Sequence, residues 1–235
     1  MLRKMDSGLE PSLVRKVVHQ GKNPSGHPNT SWPHRSMTHG EALTALQALN
    51  AELLSHDSAT LTLERWCGLH RADPQPRIVA ERLHELKKAP TEQLRRELQV
   101  TGTEPIRYRR VMLRYGTTVL SEADNWYVPA RLTPEMNVVL DTTDTPFGRA
   151  VQALNFRRQT TLVKFLWPSL ADGLEIPESL PTSCSAQWAE PAHVLEHQAV
   201  LTLQEGTPFS VVVETYAGRV LSLGIQGGRQ KRPFS

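Results

Sequence analysis

Two periodicities divide the chain. Leu43, Leu46, Leu49, Leu53 and Leu54 recur at helical spacing behind Thr38-His39-Gly40-Glu41. Thr38 suits an N-cap and Glu41 the third helical position, so a capping box opens an amphipathic helix that ends near Ser55. Asp57 or Ser58 then caps a second helix to about Leu69, with Leu61, Trp66 and Cys67 as its apolar positions. After a break at Asp73-Pro74-Gln75-Pro76, residues 77–85 read as a short strand, and Pro90-Thr91 opens a short helix to about Leu98. From Arg107 the period changes to two. Arg107, Arg109, Val111, Leu113 and Tyr115 share one face of a strand, and Tyr108, Arg110, Met112 and Arg114 the other. Gly116-Thr117-Thr118 turns the chain into an antiparallel partner over 119–128, stopped by Pro129. Thr133, with Pro134 at the first helical position, starts a helix to about Leu140. A sharp turn at 144–149 leads to a short helix. Strands are predicted at 156–167, at 193–203 and from 209 to about 220. The first of these is separated from the second by a loop rich in Pro, Ser, Gly and Glu, 168–191.

Composition narrows the class. With 235 residues, 39% hydrophobic and 22% charged, the chain suits one medium globular domain with tails. Three segments are expected: a Pro, Gly, Ser and His rich flexible arm at 1–36, a folded domain at 37–222 and a basic tail at 223–235. The element order predicts an α+β domain, a single antiparallel sheet with helices mainly on one face. No apolar run approaches the roughly 20 residues of a membrane span, and no signal peptide is visible, so a cytoplasmic protein is expected. A different true start would leave export open. The formal charge of +3 suits small anionic ligands. Aromatic and basic residues do not interleave, so nucleic acid is not an expected partner. Cys67 and Cys184 have neither metal spacing nor a disulfide framework and read as free thiols. His27, His34, His193 and His197 lack a third ligand, and no metal is expected. The oligomeric state is open, with a monomer slightly favoured.

Two charges stand out because their neighbours are apolar. Arg109 shares the likelier core face with Val111 and Leu113, and a buried guanidinium needs an anion, either a structural carboxylate or a ligand. Glu214 follows the run Val211-Val212-Val213 on the last strand. On the second hairpin strand Glu122 and Asp124 share a face. They are either a general acid and base or, as is more ordinary, cross-strand partners of Arg110 and Arg114. The turn at Thr145-Pro146-Phe147-Gly148-Arg149 frees backbone amides that suit an anion.

In order and spacing, the strand with Arg109, the turn at 145–149 and the strand with Glu214 resemble chorismate-pyruvate lyase. A weaker match is Leu53-Leu54 followed by Ser58-Ala59-Thr60. That fold is shared by the ligand-binding domains of some bacterial transcription regulators. The resemblance covers about three quarters of the chain and implies a chorismate lyase-like fold. It assigns Arg109 to the ring carboxylate, Glu214 to the ring hydroxyl, and backbone groups at Ala59 and Phe147 to the rest of the pocket. It further implies a cofactor-free elimination of pyruvate from chorismate to give 4-hydroxybenzoate, a step of ubiquinone biosynthesis, or action on a related aromatic or cyclohexadienyl acid. Such chemistry wants a second cation, for which Arg149 and Arg107 are candidates, and makes Glu214 the orienting group or proton acceptor. The arm, the 168–191 loop, the polar run at 124–129 and Phe147 in a leucine-like position depart from the family pattern. The alternative is a non-catalytic protein of the same fold that senses a small carboxylate.

Overall fold

Capping decides where the first helices begin. In a computed structural model that describes residues 36–68, 78–83, 87–167 and 188–228, α1 spans His39–Leu54. Thr38 Oγ1 accepts from the Glu41 N–H at 3.2 Å while Glu41 Oε2 accepts from the Thr38 N–H at 2.9 Å, the reciprocal box predicted from these residue types. The buried stripe is Ala42, Ala45, Leu46, Leu49 and Leu53. Leu54 was expected in it but is 49% exposed, because Leu53 already holds the position one turn after Leu49. Helix α2, Ala59–Trp66, starts at the Ser58 cap. Helix α3, Glu92–Glu97, starts at Thr91, and α4, Pro134–Thr142, at Thr133 with Pro134 in its first turn.

The sheet has six strands: β1 Val79–Arg82, β2 Arg107–Tyr115, β3 Thr118–Tyr127, β4 Arg157–Phe165, β5 His193–Thr202 and β6 Pro208–Ala217. Every pairing is antiparallel, and the spatial order is β1-β2-β3-β6-β5-β4. The domain is α+β, as the alternation of periods predicted. One sheet face carries the core. Helices α1 and α2 and the last helix, α6 (Arg219–Gly228), pack there around Leu46, Leu49, Leu63, Leu113, Leu195, Tyr216 and Leu221. Helix α4 and the single turn α5 (Phe147–Ala150) continue that layer around Leu140, Phe156, Leu201 and Phe209. On the opposite face Leu94 of α3 and its C-cap Leu98 pack against Trp126, Val128 and Val211.

The end of β6 corrects the sequence reading. The strand stops at Ala217 rather than near Val220, and Val220, Leu221 and Leu223 are buried helical positions. A short apolar run has no period of its own to separate strand from helix. Gly218 marks the break: a Cβ there would lie 2.3 Å from the Pro191 carbonyl oxygen, so only glycine lets the chain turn. Helix α6 therefore occupies residues 223–228, which were read as the start of the basic tail. The expectations for the rest of that tail, for the arm up to residue 35, for residues 168–187 of the long loop and for Cys184 lie outside the described residues. Cys67 is a free, buried thiol, and burial pushes it up to about 12.

Candidate functional site

The pleat turns Arg109 inward. On β2 the buried positions alternate as Arg109, Val111, Leu113 and Tyr115, and Arg109 is only 4% exposed. Its Nη2 donates to the Thr145 carbonyl oxygen at 3.1 Å. Its Nε and Nη1 are buried and have no hydrogen-bond partner among the described residues. Burial, reinforced by repulsion from Arg82, lowers its pKa to about 10, so it stays cationic at neutral pH. Asp141 and Asp144 pull the other way, but neither forms an ion pair with it.

Around Arg109 the elements close a cavity of about 40 Å³. Strands supply its floor, with Val111 and Leu113 from β2, Ala123 and Asn125 from β3, Val212 and Glu214 from β6, Leu201 from β5 and Arg158 from β4. The roof is Asp57, Ser58, Ala59 and Thr60 at the start of α2, Phe147 and Gly148 of α5, and Phe156. Ser58 Oγ accepts from the Leu61 N–H at 3.4 Å, so the N–H groups of Ala59 and Thr60 precede the first intrahelical bonds and carry the positive end of the helix dipole. Phe147 is held by Tyr127 and Phe209, ring centroids 5.4 and 6.3 Å away. Gly148 permits the closure of α5 on α2, since a Cβ on it would sit 2.8 Å from Ser58 Oγ. A wider hollow of about 250 Å³ adjoins the first and shares Asp57, Ser58, Gly148 and Phe156 with it.

Glu214 lines the same cavity, two strands away from Arg109. The register pairs Arg109 with Asn125 and Ala123 with Glu214. Two strand spacings and one two-residue step thus separate their Cα atoms by roughly 12 Å. Glu214 is not free. Arg158 Nη2, on β4, lies 2.6 Å from Glu214 Oε2, with the arginine side chain 3% exposed. The Tyr216 hydroxyl donates to the same oxygen at 2.9 Å. Burial pulls the Arg158 pKa down, but Glu214 and Tyr216 outweigh it and hold it above its ordinary value. Burial and then Glu214 drive the Tyr216 phenol well above its own. Beside them His197, fully buried, shares a 2.8 Å hydrogen bond between Nε2 and Asn50 Oδ1. Burial lowers its pKa to about 4, so its imidazole is neutral near pH 7.

The structure therefore brings Arg109, Glu214, Ala59 and Phe147 round one cavity and leaves Arg149 and Arg107 out of it. Arg149 is ion-paired with Glu64, and Arg107 lies 2.7 Å from Asp141 in a half-exposed pair. Glu122 and Asp124 point to the other face, where Arg110 binds Glu122 at 2.6 Å and Asp124 at 3.1 Å, and Lys88 and Tyr108 complete the Asp124 cluster. They are cross-strand ion pairs, as in the ordinary reading. Arg114 pairs instead with Glu81 on β1. Arg158 was missed. Its signal was the demand itself: a carboxylate on an apolar strand requires a cation, and Arg158 stands two residues from Phe156 on the inward face of β4.

No family model matches the chain. A relative in Sinorhizobium fredii (strain NBRC 101917 / NGR234), the uncharacterized protein y4mC, is 52% identical over 191 residues, 81% of this chain and 81% of that protein. Among solved structures, the effector domain of PhnF from Mycobacterium smegmatis is 14% identical with a TM-score of 0.42, covering 69% of this chain and 90% of that one. A possible transcriptional regulator, YydK from Bacillus subtilis, is 15% identical with a TM-score of 0.38. That alignment covers 61% of this chain and spans 59% of the YydK chain.

Proposed function

The chain belongs to the same family as y4mC, and on that premise we propose that it binds a small organic monocarboxylate through Arg109 without turning it over, as a sensor of that acid. One observation carries the reading: a buried guanidinium with Nε and Nη1 unpartnered, at the wall of a cavity. A buried cation left unpaired is strongly unfavourable, and a carboxylate oxygen is a charge-assisted acceptor for either open donor of the guanidinium. The first N–H groups of α2 stand across the cavity and add to the positive potential.

The lyase chemistry implied by the resemblance fits these residues less well. Chorismate carries two carboxylates. The second would need a cation; Arg149 and Arg107 are paired with Glu64 and Asp141 outside the cavity lining, and Arg158, which does line the cavity, is already paired with Glu214. Glu214, which would orient a hydroxyl or accept a proton, is already bonded to Arg158 and Tyr216.

Calorimetric titration with benzoate tests the reading. The protein should bind it, and Arg109→Ala should weaken binding by about ten- to a hundred-fold, the worth of one charge-assisted pair. Folded protein that ignores benzoate, or an Arg109→Ala variant that binds it unchanged, would sink the proposal. A coupled assay for pyruvate released from chorismate, run beside the titration, decides against the sensor if it shows turnover that Arg109→Ala abolishes.

A further inference from the structure

Asn125 is a buried amide that neither reading uses. It stands on β3 directly opposite Arg109 on β2, and on its other side it pairs with Val212 of β6. It is 3% exposed and lines the cavity. The Ser210 hydroxyl donates to its Oδ1 at 2.6 Å, a bond between two buried side chains. That bond occupies the acceptor end of the amide. The other end, Nδ2, carries two N–H groups and donates to nothing among the described residues. Two neighbouring side chains on the cavity floor, one charged and one neutral, therefore hold donors with no acceptor between them.

The two donors differ in reach. Arg109 is long, and its Nη2 extends to the Thr145 carbonyl in the turn before α5. The asparagine side chain is short and stays on the sheet, one strand spacing of about 4.8 Å across. A carboxylate drawn to the guanidinium thus leaves the Asn125 amide beneath the atom next to it. Resting on Arg109 as the carboxylate anchor, we propose that Asn125 selects acids with an acceptor oxygen on the carbon beside the carboxylate, of which a 2-oxo acid is the simplest. A buried donor without an acceptor is costly, and a keto oxygen supplies that acceptor without bringing a second charge into the cavity. A methylene in the same place leaves the amide unpaired, and a site built to hydrogen-bond a group discriminates against the analogue that lacks it. Val111, Leu113, Ala123 and Val212 offer apolar surface to the rest of the molecule. Asn125 is thus a specificity-determining residue.

Benzoylformate and phenylacetate share a carboxylate and a ring and differ only at the carbon between, a carbonyl in one and a methylene in the other. In calorimetric titration of the native protein benzoylformate should bind at least about threefold more tightly, the worth of one neutral hydrogen bond. Asn125→Leu keeps the bulk of the side chain and removes the donor. The keto oxygen would then be buried without a partner, so the preference should reverse in favour of phenylacetate. A merely structural Asn125 would weaken both acids together and keep their ratio. The native comparison stands even if the variant does not fold. Native protein that binds phenylacetate as tightly as benzoylformate would overturn the role of Asn125 and leave the Arg109 anchor in place. So would a folded Asn125→Leu that keeps the native preference. If neither acid binds, and benzoate does not either, the anchor and this proposal fall together.

Discussion

Arg109 is more useful to a ligand than to the fold. Its side chain is 4% exposed, and two of its three nitrogens find no partner among the described residues. Replacing it by methionine removes a buried, uncompensated cation and keeps much of the apolar stem. Arg109→Met should therefore raise the stability of ligand-free protein by on the order of 1 kcal/mol or more. Chemical denaturation checks this, and the same variant should lose benzoate binding. A variant that is clearly destabilised would mean that the bond to the Thr145 carbonyl outweighs the cost of burial. The alternation on β2 made this residue visible in the sequence, because inward positions of a strand are countable by twos. Arg158 was not visible in that way. It too lies on a strand, but it answers to Glu214 on β6 with β5 between them, and strand order is not written in any local period.

At the level of elements, the site depends on the meeting of α2 and α5. Ser58 caps α2, and Gly148 lets α5 come against that cap. A methyl group at position 148 would press on Ser58 Oγ at 2.8 Å and turn it away from the Leu61 N–H. Gly148→Ala should then cost about 0.5–2 kcal/mol, the range for a lost N-cap. The same substitution in a Ser58→Ala background should cost much less, because the two positions share one contact. Thermal or denaturant unfolding of the four proteins reads the coupling, and strict additivity would refute the contact. The caps of α1, α3 and α4 were legible because Thr38, Thr91 and Thr133 each accept from an N–H within their own first turn. The start of α6 was not. Gly218 and its clash with the Pro191 carbonyl belong to a contact between distant segments, and the apolar residues after it serve a strand as well as a helix.

The whole molecule sets its charges at unequal depths in the sheet. Arg109 and Glu214 sit on interior strands, each hydrogen-bonded to neighbours on both sides. Arg158 rides on β4, which among the described residues is at the edge and pairs with β5 alone, has a register break between Thr160 and Leu162 and leaves Leu162 46% exposed. Edge strands open locally at lower free energy than the interior of a sheet. A fraying of β4 would draw the guanidinium off Glu214 and uncover one side of the cavity, and an acid bound to the closed arrangement would resist that excursion. Amide hydrogen exchange should thus slow on ligand binding at the Arg157 end of β4 more than in β2, β3 or β6, and protection spread evenly over the sheet would contradict this. The outermost strand would then serve as the door of the cavity, and the rate at which it breathes would set how fast the acid enters and leaves.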